Sequence, residues 1–263
     1  MATAYPPPPP GPGVVQVQPG MPNPGWMAAP GVQAGVPPGL EYLTVLDEVL
    51  AHQVVELLEA FTNWETENKY VLKNTMGQQC FYAFEESTAC QRQCCKNHRQ
   101  FTLHIVNNMN QEVMRVYRPF KCCSHCCWCA GMCDHCADEL HVEAPPGNLV
   151  GRVKQRGSFC ATKLTILDAE GNRQLVVDGP LCMCKCCKDI DFPILTADKT
   201  REIGKITKQW TGFAKEAFTN ADNFSVSFPM DLDVRTKATL LGALFLIDFM
   251  EFEEPQEKHN NLD

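Results

Sequence analysis

Two seventeen-residue stretches of this chain carry one pattern. Leu103-His-Ile-Val-Asn-Asn-Met-Asn-Gln-Glu-Val-Met-Arg-Val-Tyr-Arg-Pro119 aligns without a gap on Leu164-Thr-Ile-Leu-Asp-Ala-Glu-Gly-Asn-Arg-Gln-Leu-Val-Val-Asp-Gly-Pro180, at an offset of 61 residues. Leu103 falls on Leu164, Ile105 on Ile166, Val116 on Val177 and Pro119 on Pro180. At the turn, Asn107 falls on Asp168 and Asn110 on Gly171. Alternating apolar residues around an Asn/Asp/Gly turn spell a β-hairpin, because those residues accept the turn's backbone angles cheaply. A gapless recurrence points to duplication. Tyr70-Val-Leu-Lys, Asn74-Thr-Met-Gly77 and Cys80-Phe-Tyr-Ala repeat the theme. Hairpins therefore tile the chain from about Tyr70 to Phe228. So many strands with so few helices predict a sandwich or a closed barrel, and closure removes exposed edges.

Two segments read otherwise. Leu43, Leu46, Leu50, Leu57, Leu58 and Phe61 recur at three, four and seven, which suggests an amphipathic helix or a helix running into a strand. Ala238 to Met250 is almost continuously apolar. It reads as a helix, with Leu241, Leu244 and Leu246 among its apolar residues, either buried in protein or inserted in lipid. Thirteen residues at a ~1.5 Å rise cover only about 20 Å, against a hydrocarbon core of ~30 Å. Asp248 adds to the cost of spanning. If the helix spans, Arg235 and Lys237 keep the body of the protein cytoplasmic; if not, it is a plug for a barrel.

Residues 1–39 hold 12 of the 19 prolines. Such a segment buries too little apolar area to offset backbone ordering, so it reads as a disordered, polyproline-II-prone tail. Within it, Pro6, Pro7, Pro8, Pro9 and Pro10 are either a ligand for an SH3 or WW domain or a solubilising spacer. The net charge of −8 argues against a direct nucleic-acid partner. The start of the chain lacks the basic and apolar stretches of a secretory signal, and its end carries no prenylation or retention signal. The expectation is an intracellular protein whose 16 cysteines stay reduced.

Those cysteines cluster at Cys90 to Cys95, Cys122 to Cys136 and Cys182 to Cys187, the last two just after equivalent hairpins. Cys126-x-x-Cys129 and Cys133-x-x-Cys136 have zinc-ligand spacing, although only three residues separate the pairs where zinc ribbons place ~15–20. The competing reading is S-acylation of Cys122, Cys123, Cys126, Cys127 and Cys129, in a loop holding Trp128 at a membrane face. A third reading makes them small buried hydrophobes. His125 and His135 lie close by, but nothing resembles an oxyanion-forming elbow, so no enzyme is expected.

Asn220 to Asp233 offers oxygen donors. On a twelve-residue calcium loop, Asn220, Asp222 and Asp231 fill positions 1, 3 and 12. Phe224 and Ser225 depart from that loop, and the alternation of Phe224, Val226 and Phe228 reads as a strand. An extended run would hold Asp222 and Asp231 about 30 Å apart, too far to share an ion.

Pro38-Gly-Leu-Glu-Tyr-Leu43, Val55-Glu-Leu-Leu-Glu-Ala-Phe61, Gly204-Lys-Ile-Thr-Lys-Gln-Trp-Thr-Gly212, Ala221-Asp-Asn-Phe224, Phe228-Pro-Met-Asp-Leu-Asp233 and Phe245-Leu-Ile-Asp-Phe-Met250 resemble the phospholipid scramblases. The resemblance implies a mainly β, tubby-like domain: a closed antiparallel barrel around a hydrophobic carboxyl-terminal helix. That domain would run over residues 40–253, between the proline tail and a polar end at 254–263. The resemblance further implies calcium-dependent, ATP-independent movement of phospholipids between leaflets. It places the calcium segment on Asn220, Asp222, Phe224, Asp231 and Asp233, and palmitate on Cys126, Cys127 and Cys129. It also implies a type II or palmitate-anchored protein on the cytoplasmic face of the plasma membrane. Lys205 and Lys208 lie in a segment similar to a nuclear-import signal, for the chain when not acylated. The rival expectation is a palmitoylated adaptor without lipid transport, and zinc is the lesser cofactor expectation beside Ca2+.

Overall fold

The computed structural model describes residues 25–54, 67–89, 92, 98–121, 133, 135–158, 161–181, 188–210 and 222–253. Among these the chain forms twelve strands: β1 (Glu48–Gln53), β2 (Lys69–Lys73), β3 (Gln79–Glu86), β4 (Phe101–Val106), β5 (Glu112–Arg118), β6 (Glu139–Glu143), β7 (Leu149–Gln155), β8 (Lys163–Asp168), β9 (Arg173–Asp178), β10 (Ile190–Thr196), β11 (Glu202–Gln209) and β12 (Asn223–Ser227). Each pairs antiparallel with its sequence neighbours, and β1 pairs with both β2 and β12. The sheet closes into an up-and-down barrel with no free edge. The barrel alternative of the sequence reading is the one realised.

The two hairpins that align in sequence are β4–β5 and β8–β9. Both carry a bulge at equivalent positions, Ile105/Val106 and Ile166/Leu167. Asn107 and Asp168 each accept backbone N–H bonds within the turn, and Asn110 (φ 57) and Gly171 (φ 89) take the left-handed backbone. The same device recurs in the other tight hairpins. Hairpins β2–β3, β6–β7 and β10–β11 also place a bulge before the turn and a positive φ inside it, at Gly77, Gly147 and Lys199. One turn chemistry thus sets register five times, which matters because a one-residue slip would turn every core side chain outward.

Helix α1 (Val234–Ile247), extended by a π-helical turn (Asp248–Phe252), fills the barrel. Asp233 caps it, accepting from the Thr236 N–H at 3.1 Å. Every residue from Lys237 to Ile247 is buried, and the helix lies chiefly on β6, β7 and β8. Close approach is made by glycine: a Cβ on Gly242 would stand 2.7 Å from Val142 Cγ2, and one on Gly151 would overlap Thr239 Oγ1.

Two open alternatives close and one expectation changes. Ala238, Leu241, Leu244, Leu246 and Met250 are plug residues rather than lipid contacts, and no helix among the described residues is long and apolar enough to cross a membrane. The barrel wall supplies the apolar surroundings that lipid would otherwise supply. For the stretch from Leu40, the helix running into a strand is the alternative realised, with the helix cut to a single 3-10 turn (Glu41–Thr44) before strand β1. Val49 and Ala51 point inward at a spacing of two, and pairing on both sides bonds the β1 backbone, so the strand period prevails over the helical one. Leu57, Leu58 and Phe61 lie outside the described residues. Finally, the tail expected over residues 1–39 includes a packed strap. Trp26 bridges to Gln79, Met27 and Val36 pack on the core, and Gly39 (φ 91) sits where a Cβ would overlap Val113. Three or four apolar contacts over a short strap suffice to order it, which composition averaged over 39 residues hides.

Candidate functional site

Up-and-down topology sorts the connections into two rims. The five tight hairpins turn at one rim, where α1 begins. The long connections β1–β2, β3–β4, β5–β6, β7–β8, β9–β10 and β11–β12 leave from the other, where the π turn ends. The chain between β3 and β4 carries Cys90 to Cys95, that between β5 and β6 carries Cys122 to Cys136, and that between β9 and β10 carries Cys182 to Cys187. Strand direction alone therefore gathers the ends of every cysteine-rich segment at one rim. Cys122, Cys123, Cys126, Cys127 and Cys129 themselves lie outside the described residues. Cys133 is exposed and Cys136 half-buried, the Cys136 N–H donating to the Cys133 carbonyl at 3.0 Å, and neither is in a disulfide.

Beneath this rim lies a collar of buried charge and aromatic rings. Arg99 donates from Nε to Glu85 Oε1 at 2.7 Å and from Nη2 to Glu253 Oε1 at 2.6 Å, with Arg99 and Glu85 both about 1% exposed. Its guanidinium lies 5.0 Å from the centre of the Phe249 ring, which stacks on Phe101 at 3.9 Å. Burial pushes the Glu85 carboxyl up, but the Arg99 hydrogen bonds and charge outweigh it and hold it below its ordinary value. In Glu253 the balance tips the other way: burial raises the carboxyl despite Arg99. Tyr70 donates its hydroxyl to Asp248 Oδ2 at 2.5 Å. Burial, and then the charge of Asp222, push Asp248 well above the usual carboxylate range, so it favours the neutral acid. Burial likewise raises the Tyr70 phenol.

A second ion pair, Arg118 Nη2 to Asp138 Oδ1 at 2.5 Å, joins the end of β5 to the approach of β6, both side chains about 1% exposed. Lys121 donates to the Ala137 carbonyl at 2.6 Å. Together they pin the neck of the segment that holds the densest cysteine cluster. None of these pairs has a sequence motif. Arg99, Glu85, Arg118 and Asp138 are scattered charges in sequence, and only the barrel register makes them neighbours. Among the described residues, the opposite rim holds one buried charge. Lys237, expected as a flank of a membrane helix, is fully buried and donates to the carbonyls of Leu43, Leu46 and Met230 at 2.9, 2.8 and 2.7 Å. An ammonium with three donors facing three acceptors is satisfied without a carboxylate.

The calcium segment is not brought together. Asn220 lies outside the described residues. Asp222 stands at the cysteine-bearing rim, paired with the Lys208 ammonium, its N–H donating to Gln53 Oε1. Phe224 is fully buried and meets Phe252 edge-on. Asp231 and Asp233 lie beyond β12 at the other rim, with Asp233 engaged as the helix cap. Strand β12 between them spans roughly 16 Å. The strand alternative of the sequence reading is the one realised, and Asp222 shares no site with Asp231 or Asp233. Among the described residues no group of three His, Cys, Asp or Glu side chains is gathered to hold a metal. Lys205 is exposed and paired with Asp191, and Lys208 is half-buried over Phe224 and Phe252, within the doubly paired strand β11. Pro6 to Pro10 lie outside the described residues.

Known proteins match the chain in sequence. Residues 27–254 match the Scramblase family model, a span that begins with the ordered strap and ends at the plug. The chain belongs to the Scramblase family. It is 48% identical to phospholipid scramblase 1 of Rattus norvegicus over 245 residues, covering 91% of this chain and 71% of that one. It is 46% identical to phospholipid scramblase 2 of Bos taurus, covering 91% and 82%, and 37% identical to phospholipid scramblase 4 of Homo sapiens, covering 91% and 73%. No solved structure matches the chain. The calcium that the scramblase resemblance implies would need donors on one side of β12. Asp222, Phe224, Asp231 and Asp233 as placed do not fit a single ion.

Proposed function

We propose that this chain moves phospholipids between the leaflets of a membrane, without ATP and in response to calcium, acting from the leaflet surface with its barrel closed. The observation that carries the reading is similarity to phospholipid scramblases over 91% of the chain. The gathering of the cysteine-segment ends at one rim supports the geometry. Acyl chains on Cys122, Cys123, Cys126, Cys127 and Cys129 hold that rim against the inner face of the plasma membrane, at least two being needed for stable attachment. The unacylated chain is the form free to reach the nucleus, and the proline tail is its SH3 or WW ligand. The plug stays inside, because releasing it would expose eleven buried helix residues, each large apolar side chain costing ~1.5–3 kcal/mol.

The test is the acylated full chain reconstituted in liposomes with asymmetric lipid labels. Calcium-stimulated loss of asymmetry without nucleotide is the expected result. Absence of lipid movement with acylation intact sinks the reading. One observation favours a second reading, an acylated adaptor: the apolar helix is sealed in the barrel and offers lipid no path of its own. An inert but firmly bound protein in the same assay selects it. Because Asp222 and Asp231 as placed share no ion, Asp222→Asn and Asp231→Asn are each expected to leave the calcium response near the native level.

A further inference from the structure

The outward face of three adjacent strands is basic on a chain of net charge −8. Register aligns Arg152 with Leu167 and Lys154 with Thr165 across β7 and β8, and Leu167 with Arg173 across β8 and β9. Lys163 and Arg156 complete the set near the cysteine-bearing rim. Asp178, which pairs with Arg156 and Lys199, is set among them, and Glu139 of β6 stands opposite Lys154 at the edge of the face; Asp168 and Glu170 belong to the hairpin turn at the far rim. A shallow cavity of about 370 Å³ on this face is lined by Lys154, Arg156, Thr165, Leu167 and Arg173.

The same face is bracketed by cysteine-rich segments, one entering β6 and one leaving β9. The residues that lead into them are exposed and apolar: Phe120 is 51% and Leu181 75% exposed. These two occupy equivalent positions of the aligned stretches, one residue past Pro119 and Pro180. An exposed Phe or Leu is ordinary when single. Two at the same place in a repeat, each ahead of a cysteine segment and flanking a basic face, form a surface with both signatures of a bilayer contact, cationic and apolar.

We propose that the β7–β9 face is a docking surface for an anionic bilayer, with Phe120 and Leu181 entering the interfacial layer at its two flanks. The inference rests on the membrane-facing reading above and adds to it which side of the barrel meets lipid and by what chemistry. The surface works before acylation, bringing the thiol segments to the membrane, and orients the barrel afterwards.

The test uses the full unacylated chain and co-flotation with vesicles of phosphatidylcholine alone or mixed with phosphatidylserine. Binding is expected only with the anionic lipid and is expected to fall as salt rises. Each basic residue near such a surface is worth about fivefold, so Lys154→Gln with Lys163→Gln and Arg173→Gln should weaken partitioning on the order of 100-fold. A control neutralising Lys69, Lys73 and Arg201 leaves binding near the native level. Phe120→Ser with Leu181→Ser lowers binding and keeps its salt dependence. Native-like binding by the basic-face variant, or equal loss in the control, overturns the proposal. So does displacement by soluble glycerophosphoserine, which would mark a small anion site. Unfolding midpoints of all variants separate lost docking from lost fold. A chain that docks but moves no lipid defeats the transport reading and leaves this one standing.

Discussion

The two rims of the barrel are built from opposite kinds of chemistry. At the hairpin rim, five short turns close on themselves: Asn74, Asn107 and Asp168 each accept a local N–H, and a bulge fixes the register behind each turn. At the cysteine-bearing rim, order comes from contacts distant in sequence. Glu253 reaches Arg99 across 154 positions, Asp248 reaches Tyr70 across 178, and Thr162 bonds Glu251 across 89. Local turns are cheap and tolerant. Buried charges are costly unless paired, so their placement fixes one arrangement of the rim and of the necks from which the cysteine segments leave.

Replacing Arg99 by Met would sharpen this contrast most. Glu85 would be left buried without its cation, and a loss of about 3–5 kcal/mol is expected in urea unfolding. A loss below about 1 kcal/mol would break the comparison. Lys237→Met tests whether the hairpin rim has one non-local anchor of its own. Three carbonyls lose their donors, and a loss of about 3 kcal/mol is expected; a neutral result would mean that Lys237 does not anchor that rim.

Asp248→Asn is smaller and depends on pH. The folded protein holds the Asp248 proton above the ordinary value of 3.8, whereas the unfolded chain releases it there. The stability due to this group is complete below that value and drains away as pH rises through the folded pKa. Asn keeps the bond from Tyr70 and carries no proton to lose. The difference in stability between native chain and variant should therefore shift toward the variant as pH rises from 4 to 8. A constant difference counts against a neutral Asp248. The smallest effect is at the local rim: Asn110→Gly should be within about 1 kcal/mol of neutral and leave the barrel register intact. A large loss there would mean the turns depend on more than backbone angles.

Much of this was readable beforehand. Leu103 to Pro119 against Leu164 to Pro180 revealed the repeating hairpin, and turn residues act within a few positions, where sequence is informative. The alternation of Phe224, Val226 and Phe228 announced β12 and set a strand against the calcium loop that Asn220 to Asp231 suggested by composition. The start of the barrel was less legible. Leu43, Leu46 and Leu50 kept a helical spacing, and only the need to join β12 to β2 made that stretch a strand. Lys237 was equally misleading, because a lysine beside an apolar run signals a membrane flank unless three carbonyls happen to face it.

By itself, then, the sequence determined the hairpins, their shared turn chemistry, the apolar helix and the family, all of which rest on neighbours within about twenty positions or on matched motifs. Tertiary structure alone decided where the helix goes, because a thirteen-residue apolar run, although short for a bilayer, has no fixed place until a barrel of matching bore closes around it. It also decided that the ends of the cysteine segments share a rim and that the aspartates do not share a site, since strand direction, invisible in composition, sends successive connections to opposite ends.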